Sequence, residues 1–352
     1  MIYHKPKNLK NMNSETENQV SASENQMYIV AKQAIFNHFK DSKFSRVLLP
    51  SYLPDGVYSP FKELGFKRMY YPLSKNLSLP DDFPGSSSAD DTVIYHIHHF
   101  GMYNKANIYK LKQLKSLGYY IVEDRALTLP ASNADYFGNA TVYSFNKMLG
   151  IPHGGMVISD NQTKNDTPRH NKESDIWKSY LSLRLKMFSH FGIKLMPQLF
   201  FRLYNKIVWK MINNKGSRLS HWLAASEFAD KKVSDIIRQT DFQTISDKIT
   251  YNAGYLYDNI RQNLQLCSGR DNYTTQAITG FPIIIDNPKD FQKYLMKNGI
   301  HGFGLNDAWR PDKTAPEWEY TFKHFLLPVH NDLSMKDLKK IVRVVNAYKI
   351  AH

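Results

Sequence analysis

The chain has 352 residues, 42% of them hydrophobic, a formal net charge of +14 and one cysteine, Cys267. That supports one large α/β core with an appendage or two domains, offers no stretch near the roughly 20 apolar residues of a membrane-spanning helix, and excludes an intramolecular disulfide framework, pointing to a reducing, cytoplasmic setting. The positive charge suits an anionic partner, whether nucleic acid, a lipid surface or a phosphate-bearing substrate, but zinc-ligand spacing, basic-aromatic strand motifs and helix-turn-helix patterns are missing, which argues against nucleic acid.

Residues 1–22 are polar and aperiodic, predicting a flexible arm with neither the apolar core nor the cleavage signal of a secretory peptide. Order is expected from about Ser23. Ile29, Ala31, Ile35 and Phe39 approximate helical spacing, and the helix they predict can present its first amides to an anion. RVLLPSYLPDGVYSPF reads as a buried strand ending in a turn, GFKRMYYPL as a second strand, residues 85–91 as a loop and DTVIYHIHHFG as a third strand. In that third strand His96 and His98 face one way and His99 the other, with no Cys or acidic cluster beside them, so no metal site is expected. Residues 107–117 predict a helix that leads through Gly118 into an apolar run stopping at Asp124. Strand and helix alternating this regularly imply a mostly parallel sheet covered on both faces.

After Asp124 come a turn-rich stretch, a second β-prone run that ends shortly before Lys147, and a Gly154-Gly155 pair opening onto a further apolar run. An acid at the end of one strand and an amine just past the next are aimed at one crevice at the carboxyl edge of the sheet. Residues 176–220 are unusual: nine Lys or Arg, no Asp or Glu and eight aromatics. Ile176, Tyr180, Leu183 and Met187, then Leu199, Leu203, Ile207 and Met211, fall at helical spacing on either side of Pro197. Two basic amphipathic helices are expected, with Arg202, Lys206 and Lys210 advancing by four beside the second stripe. A helical insertion over the site or at a subunit interface is preferred to membrane contact. Further on, GFPIIIDNPKDFQKYLMKNGI predicts strand, helix and turn, and LLPVHNDLSMKDLKKIVRVV a strand or loop and a closing helix capped at Ser334.

The Asp124 and Lys147 pairing has a specific use. Pyridoxal phosphate needs a carboxylate at its ring nitrogen, to keep the pyridinium protonated as an electron sink, and an amine to hold its aldehyde as a Schiff base. A structural acid and a solvated lysine would look the same in isolation. The stretch Glu123-Asp124, Ser144-Phe145, Lys147 and Gly154-Gly155, however, resembles the DegT/DnrJ/StrS family of sugar aminotransferases. Within it, Pro152-His153-Gly154-Gly155 is similar to the branch whose loop ends Pro-Asp-Gly-Gly, with His153 where that branch has an acid. One departure is Leu127, where the family has a Gln or His touching the cofactor's phenolic oxygen; leucine cannot make that hydrogen bond.

The resemblance implies fold type I of the pyridoxal-phosphate enzymes, α/β with a mostly parallel central sheet and a small C-terminal α+β domain. It divides the chain into a flexible arm 1–22, a large cofactor-binding domain 23–262 containing the 176–220 insertion, and a small domain 263–352. It implies that Lys147 holds the cofactor and shuttles protons and that Asp124 secures the ring nitrogen. The phosphate would lie on Ser144 and on a helix start where Ala31 and Lys32 replace the usual Gly with Ser, Thr or Arg, although Lys32 also reads as a surface lysine. Tyr52 would stack on the ring, or serve as a core aromatic, and Asn252 would reach the phosphate of a neighbouring subunit, making a homodimer with shared sites. The implied activity is transfer of an amino group from an amino acid, glutamate in particular, to a keto-sugar, nucleotide-linked, for surface polysaccharide or related glycan biosynthesis. The alternative is a degenerate relative acting as a regulator or membrane-associated scaffold. Sugar dehydration is disfavoured, because family members of that type replace the lysine with histidine.

Overall fold

Alternating apolar residues decide which sheet face each side chain takes, and here both faces are buried. The computed structural model describes residues 26–54, 56–84, 88–131, 135–149, 151, 153–159, 228–304 and 321–348. The first elements are α1 (Ala31–Phe39), β1 (Arg46–Pro50), α2 (Ser59–Glu63), β2 (Lys67–Tyr71), β3 (Thr92–Ile97), α3 (Lys105–Ser116), β4 (Tyr120–Asp124), β5 (Ala140–Ser144) and β6 (Gly155–Ser159). The six strands form one sheet in the order β2-β1-β3-β4-β5-β6. All neighbours pair parallel except β5 with β6. Central β3 is buried along its whole length, whereas edge strand β2 turns Lys67, Arg68 and Tyr70 to solvent, which discourages further strand pairing there.

One face carries Val47, Leu49, Val93, Tyr95, Ile97, Val122, Ala140 and Val142, packed under Ala34, Ile35 and Phe39 of α1. The other carries Leu48, Ile94, Ile121 and Tyr143 against Ile108, Leu111 and Leu114 of α3. By the two-residue period of a strand, Asp124 follows Val122 and Ser144 follows Val142 onto the α1 face.

The chain continues through α4 (Lys231–Arg238), α5 (Phe242–Asn259), α6 (Asp271–Thr274), β7 (Phe281–Ile284), α7 (Pro288–Lys297), β8 (Phe303–Gly304), β9 (His324–Leu327) and α8 (Met335–Ala347). A second, antiparallel sheet has the order β7-β9-β8. Ser334 caps α8 as its sequence predicts: its hydroxyl accepts from the Asp337 amide while the Asp337 carboxylate accepts from the Ser334 amide. The mostly parallel α/β architecture and the strand, helix and turn order near the C-terminus match the sequence reading. The expected arm 1–22, Pro152 and both basic helices of 176–220 lie outside the described residues, as does part of the loop at 85–91.

Several buried or half-buried histidines are held neutral. Burial pushes the pKa of His38 and of His153 down to about 4, and that of His324 to about 3. An unfolded imidazole titrates near about 6.5, so below that pH the unfolded chain binds protons that the folded chain refuses. Stability from these groups is complete above about 6.5 and is lost as pH falls toward about 4. The urea midpoint is accordingly expected to be lower at pH 5 than at pH 7; equal midpoints would contradict this.

Candidate functional site

The end of β5 and the start of α1 are stitched together through Gly154 and Gly155. Tyr28 and Gly155 exchange backbone hydrogen bonds of 2.8 Å in each direction, the Gly154 amide donates to the Ile29 carbonyl at 2.9 Å, and the Phe145 amide donates to the Gly154 carbonyl at 2.9 Å. Gly155 stands opposite Ser144 in the β5 and β6 pair. A Cβ at Gly155 would lie only 2.1 Å from the Ala31 nitrogen, so the absence of a side chain is what lets the helix start sit against the strand. Gly155→Ala is therefore expected to push α1 off the sheet, lowering stability by about 1 to 3 kcal/mol. Urea unfolding of the variant checks this, and an unchanged midpoint would contradict it.

Beyond Ser144 a single turn, Phe145–Lys147, carries Lys147 out of the strand. Solvent reaches its side chain, yet the amine lies deep among protein atoms, and burial lowers its pKa against the opposing pull of the Asp124 carboxylate. Lys147 thus stands just past the end of β5 with the Asp124 carboxylate as its charged neighbour. Lys32, second residue of α1, lies within reach of the Lys147 charge: burial lowers its pKa and the charge of Lys147 lowers it further. The repulsion is mutual. Asp124 is nearly buried and pinned, with the Tyr95 hydroxyl donating to Oδ2 at 2.9 Å and the Ala126 amide to Oδ1 at 2.9 Å. The Ser144 hydroxyl donates to Asn146 Oδ1 at 2.9 Å. Ala31, Lys32, Asp124, Ser144 and Lys147, named from the sequence, are thus gathered at one edge of one sheet face.

Tyr52 and Asn252 lie enclosed within the chain. Tyr52 is 0% exposed, stacked on His99 with ring centroids 5.2 Å apart, and its hydroxyl meets His324 Nδ1 of β9 at 3.0 Å. With no accessible ring face it ties the two sheets together, as a core aromatic would. Asn252 is 0% exposed within the single chain, its amide donating to the carbonyls of His330 at 2.8 Å and Val329 at 3.5 Å. Within the chain it ties α5 to the segment that precedes α8.

Arg125 escaped the sequence reading. It is fully buried behind the site, with Nε donating to Glu123 Oε2 at 2.9 Å, Nη1 to Gln276 Oε1 at 2.9 Å and Nη2 to the Asp135 carbonyl at 2.7 Å. Glu123 also accepts from the amides of Phe137 and Gly138, at 2.8 and 2.6 Å, and meets His98 Nε2 at 3.3 Å. The signal was present: two opposite charges flanking Asp124 inside an apolar run. His96 and His98 do share a side, with rings 5.1 Å apart, while His99 turns toward Tyr52.

No protein-family model matches the chain, and no curated protein sequence matches it. Solved structures do. The chain is similar to the putative sugar aminotransferase Spr1654 from Streptococcus pneumoniae, at 12% identity and a TM-score of 0.61 over 91% of this chain and 86% of that one. It is similar to S. venezuelae DesV, solved with a ketimine intermediate, at 14% identity and a TM-score of 0.61 over 93% and 85% of the two chains. It is also similar to the Helicobacter pylori aminotransferase PseC, involved in pseudoaminic acid biosynthesis, at 14% identity and a TM-score of 0.56 over 91% and 85%. The chain has the aminotransferase fold of these proteins.

Proposed function

We propose that this protein is a pyridoxal-phosphate-dependent aminotransferase that moves an amino group from an amino acid, glutamate in particular, to a keto-sugar carried on a nucleotide. The observation that carries the reading is the convergence of Asp124, Lys147 and the Lys32 end of α1 at one edge of one sheet face. The fold neighbours described as sugar aminotransferases support the choice of substrate, and the basic surface suits a diphosphate-bearing one.

The donor set fits the cofactor. Asp124 offers a carboxylate oriented by Tyr95 and Ala126 for the ring nitrogen, Lys147 offers the amine for the aldehyde, and the first amides of α1 with Lys32 offer an anion cradle at a helix N-terminus. When bound, the cofactor supplies an electron sink for the carbon that loses a proton. Lys147 would take that proton and return it at the neighbouring carbon, and burial lowers its pKa in the direction that eases loss of its charge. Ser144 and Asn146 fix the turn that aims it. Leu127 contributes no hydrogen bond, so tuning of the phenolic oxygen falls to the rest of the site.

The reading includes a cytoplasmic homodimer in which Asn252 reaches the phosphate of the neighbouring subunit, resting on the resemblance. Light scattering that showed a monomer with full cofactor occupancy would remove it. The activity is tested by incubating the protein, pyridoxal phosphate and glutamate with a panel of keto-sugar nucleotides and following 2-oxoglutarate. Release that depends on the keto-sugar is expected. No release across the panel, with no cofactor retained, would overturn the reading.

A further inference from the structure

We propose that Gln276, which lies between α6 and β7, is a positioning residue of this site: it closes a buried ring of side chains behind Asp124 and so holds that carboxylate where the cofactor's ring nitrogen would meet it. The inference deepens the cofactor reading above and rests on it for the ligand alone, since the ring is built from the chain's own residues.

The ring admits one consistent set of proton positions. An arginine only donates and a carboxylate only accepts. The Gln276 atom 2.9 Å from Arg125 Nη1 is therefore its oxygen, which leaves the amide nitrogen to donate to the Gly101 carbonyl at 2.7 Å and to face His98 Nδ1 at 3.3 Å. His98 Nε2 stands 3.3 Å from Glu123 Oε2 and so carries the imidazole proton, leaving Nδ1 as the acceptor for Gln276. Glu123 Oε2 completes the circuit by accepting from Arg125 Nε and Nη2, both at 2.9 Å. His98, Glu123, Arg125 and Gln276 are all buried, so bulk water does not replace a partner that is lost.

Two links run from the ring to Asp124. Glu123 and Arg125 flank Asp124 in the chain, and the His98 amide donates to the Asp124 carbonyl at 3.0 Å. The Gly101 carbonyl that Gln276 captures ends a turn in which Phe100 and Gly101 both have positive φ, 61° and 84°. A buried phenylalanine in the left-handed region is strained and persists only where its surroundings over-determine it. Residues 276–279 grip this turn twice, through Gln276 at Gly101 and through the Thr279 amide at the Phe100 carbonyl, 3.0 Å away. Without the Gln276 amide the turn is free to relax, and the displacement passes through the backbone bond of His98 to Asp124 and its carboxylate.

Gln276→Glu separates the two halves of the side chain, because a carboxylate still accepts from Arg125 but has no hydrogen for Gly101. Gln276→Leu removes both and adds no charge, and it should give the same pattern. The first measurement is hydrogen exchange of the cofactor-free chain. The amides of His98, which bonds the Asp124 carbonyl, and Ala126, which bonds Asp124 Oδ1, are expected to exchange at least about tenfold faster in either variant, with the Leu338 amide of α8 unchanged. The second is retention of pyridoxal phosphate against its analogue with C–H in place of the ring nitrogen. Both variants should lose pyridoxal phosphate by about tenfold or more, as when a hydrogen bond to a charged group is lost, and keep the analogue as the wild-type chain does, because the analogue offers Asp124 no N–H. A merely structural defect would weaken both molecules alike. Wild-type exchange at His98 and Ala126, or an unchanged ratio of cofactor to analogue in chains that retain them, would overturn the proposal. The cofactor reading fails separately: the wild-type chain would retain neither molecule, while faster exchange at His98 and Ala126 in the variants would still mark Gln276 as the residue that holds Asp124.

Discussion

Lys147→Ala is expected to abolish both the visible absorption acquired on adding pyridoxal phosphate and the borohydride-trapped adduct, and to reduce amino transfer by at least about 10³-fold. Two functions vanish together, the covalent tether and the proton carrier, and positioned proton transfer alone contributes about 10²- to 10⁴-fold. The fold should survive, because Lys147 lies in a solvent-reached turn after β5 and no packing contact of the sheet depends on it. A variant that kept the adduct at another lysine, with transfer intact, would remove Lys147 from the mechanism. Urea unfolding close to wild type should accompany the loss, separating a chemical defect from a structural one.

Arg125→Met should be the most destabilising single change described here. It leaves Glu123, 0% exposed, without the guanidinium that now contacts Oε2 through two nitrogens, both at 2.9 Å. Breaking a buried ion pair from one side costs about 3 to 5 kcal/mol; the amides of Phe137 and Gly138 and the ring of His98 remain as partners, which puts the expectation near about 3. Glu123→Gln added to Arg125→Met should recover part of the loss, since no charge is then stranded. The pH dependence carries the same signature. Burial alone would raise the Glu123 carboxyl, but the His98 hydrogen bond and the Arg125 charge outweigh it and hold the pKa at about 2 against 4.5 unperturbed. A depressed carboxyl pKa contributes stability that is complete above the unfolded value and is lost as pH falls through the range from about 4.5 to about 2. Arg125→Met should shorten that range at its acid end, as acid titration of the folded fraction would reveal; an identical profile would place the stabilisation elsewhere.

Much of the architecture was legible because it follows from local pattern. Continuous apolar runs mark β3 and β4, the 3.6-residue spacing of Ile35 and Phe39 marks α1, and Ser334 with Asp337 marks the start of α8. Asp124 and Lys147 were legible for the same reason, since the end of a strand is a position that sequence can locate. The surroundings of Tyr52 and Asn252 were not, because whether a side chain turns inward depends on what lies beside it, and their partners His324 and His330 are remote in sequence, 272 and 78 residues away. Arg125 escaped for a related reason. A charge in an apolar run reads as an interruption until Gln276, 151 residues later, is seen to meet it. The antiparallel run of β6 was likewise open, since an apolar run carries no direction until its neighbours are known.

The stitching of α1 has a consequence for the order in which the site can form during synthesis. The segment leading into the helix bonds to Gly155 through Tyr28, and Met27 accepts from the amide of Ala229, about 200 residues further along. At about 5 to 20 residues per second, this first-made segment waits about 10 to 40 s for its partner. Ile35 and Phe39 can pack sooner, because the other residues of their cluster lie no later than Val157. The start of α1 is thus held to the sheet once Gly155 has emerged, and the segment before it only once Ala229 has. Pulsed proteolysis of stalled nascent chains should find the chain near Met27 cut readily until residues near Ala229 are free to pair, and early protection there would show that this segment docks by another route.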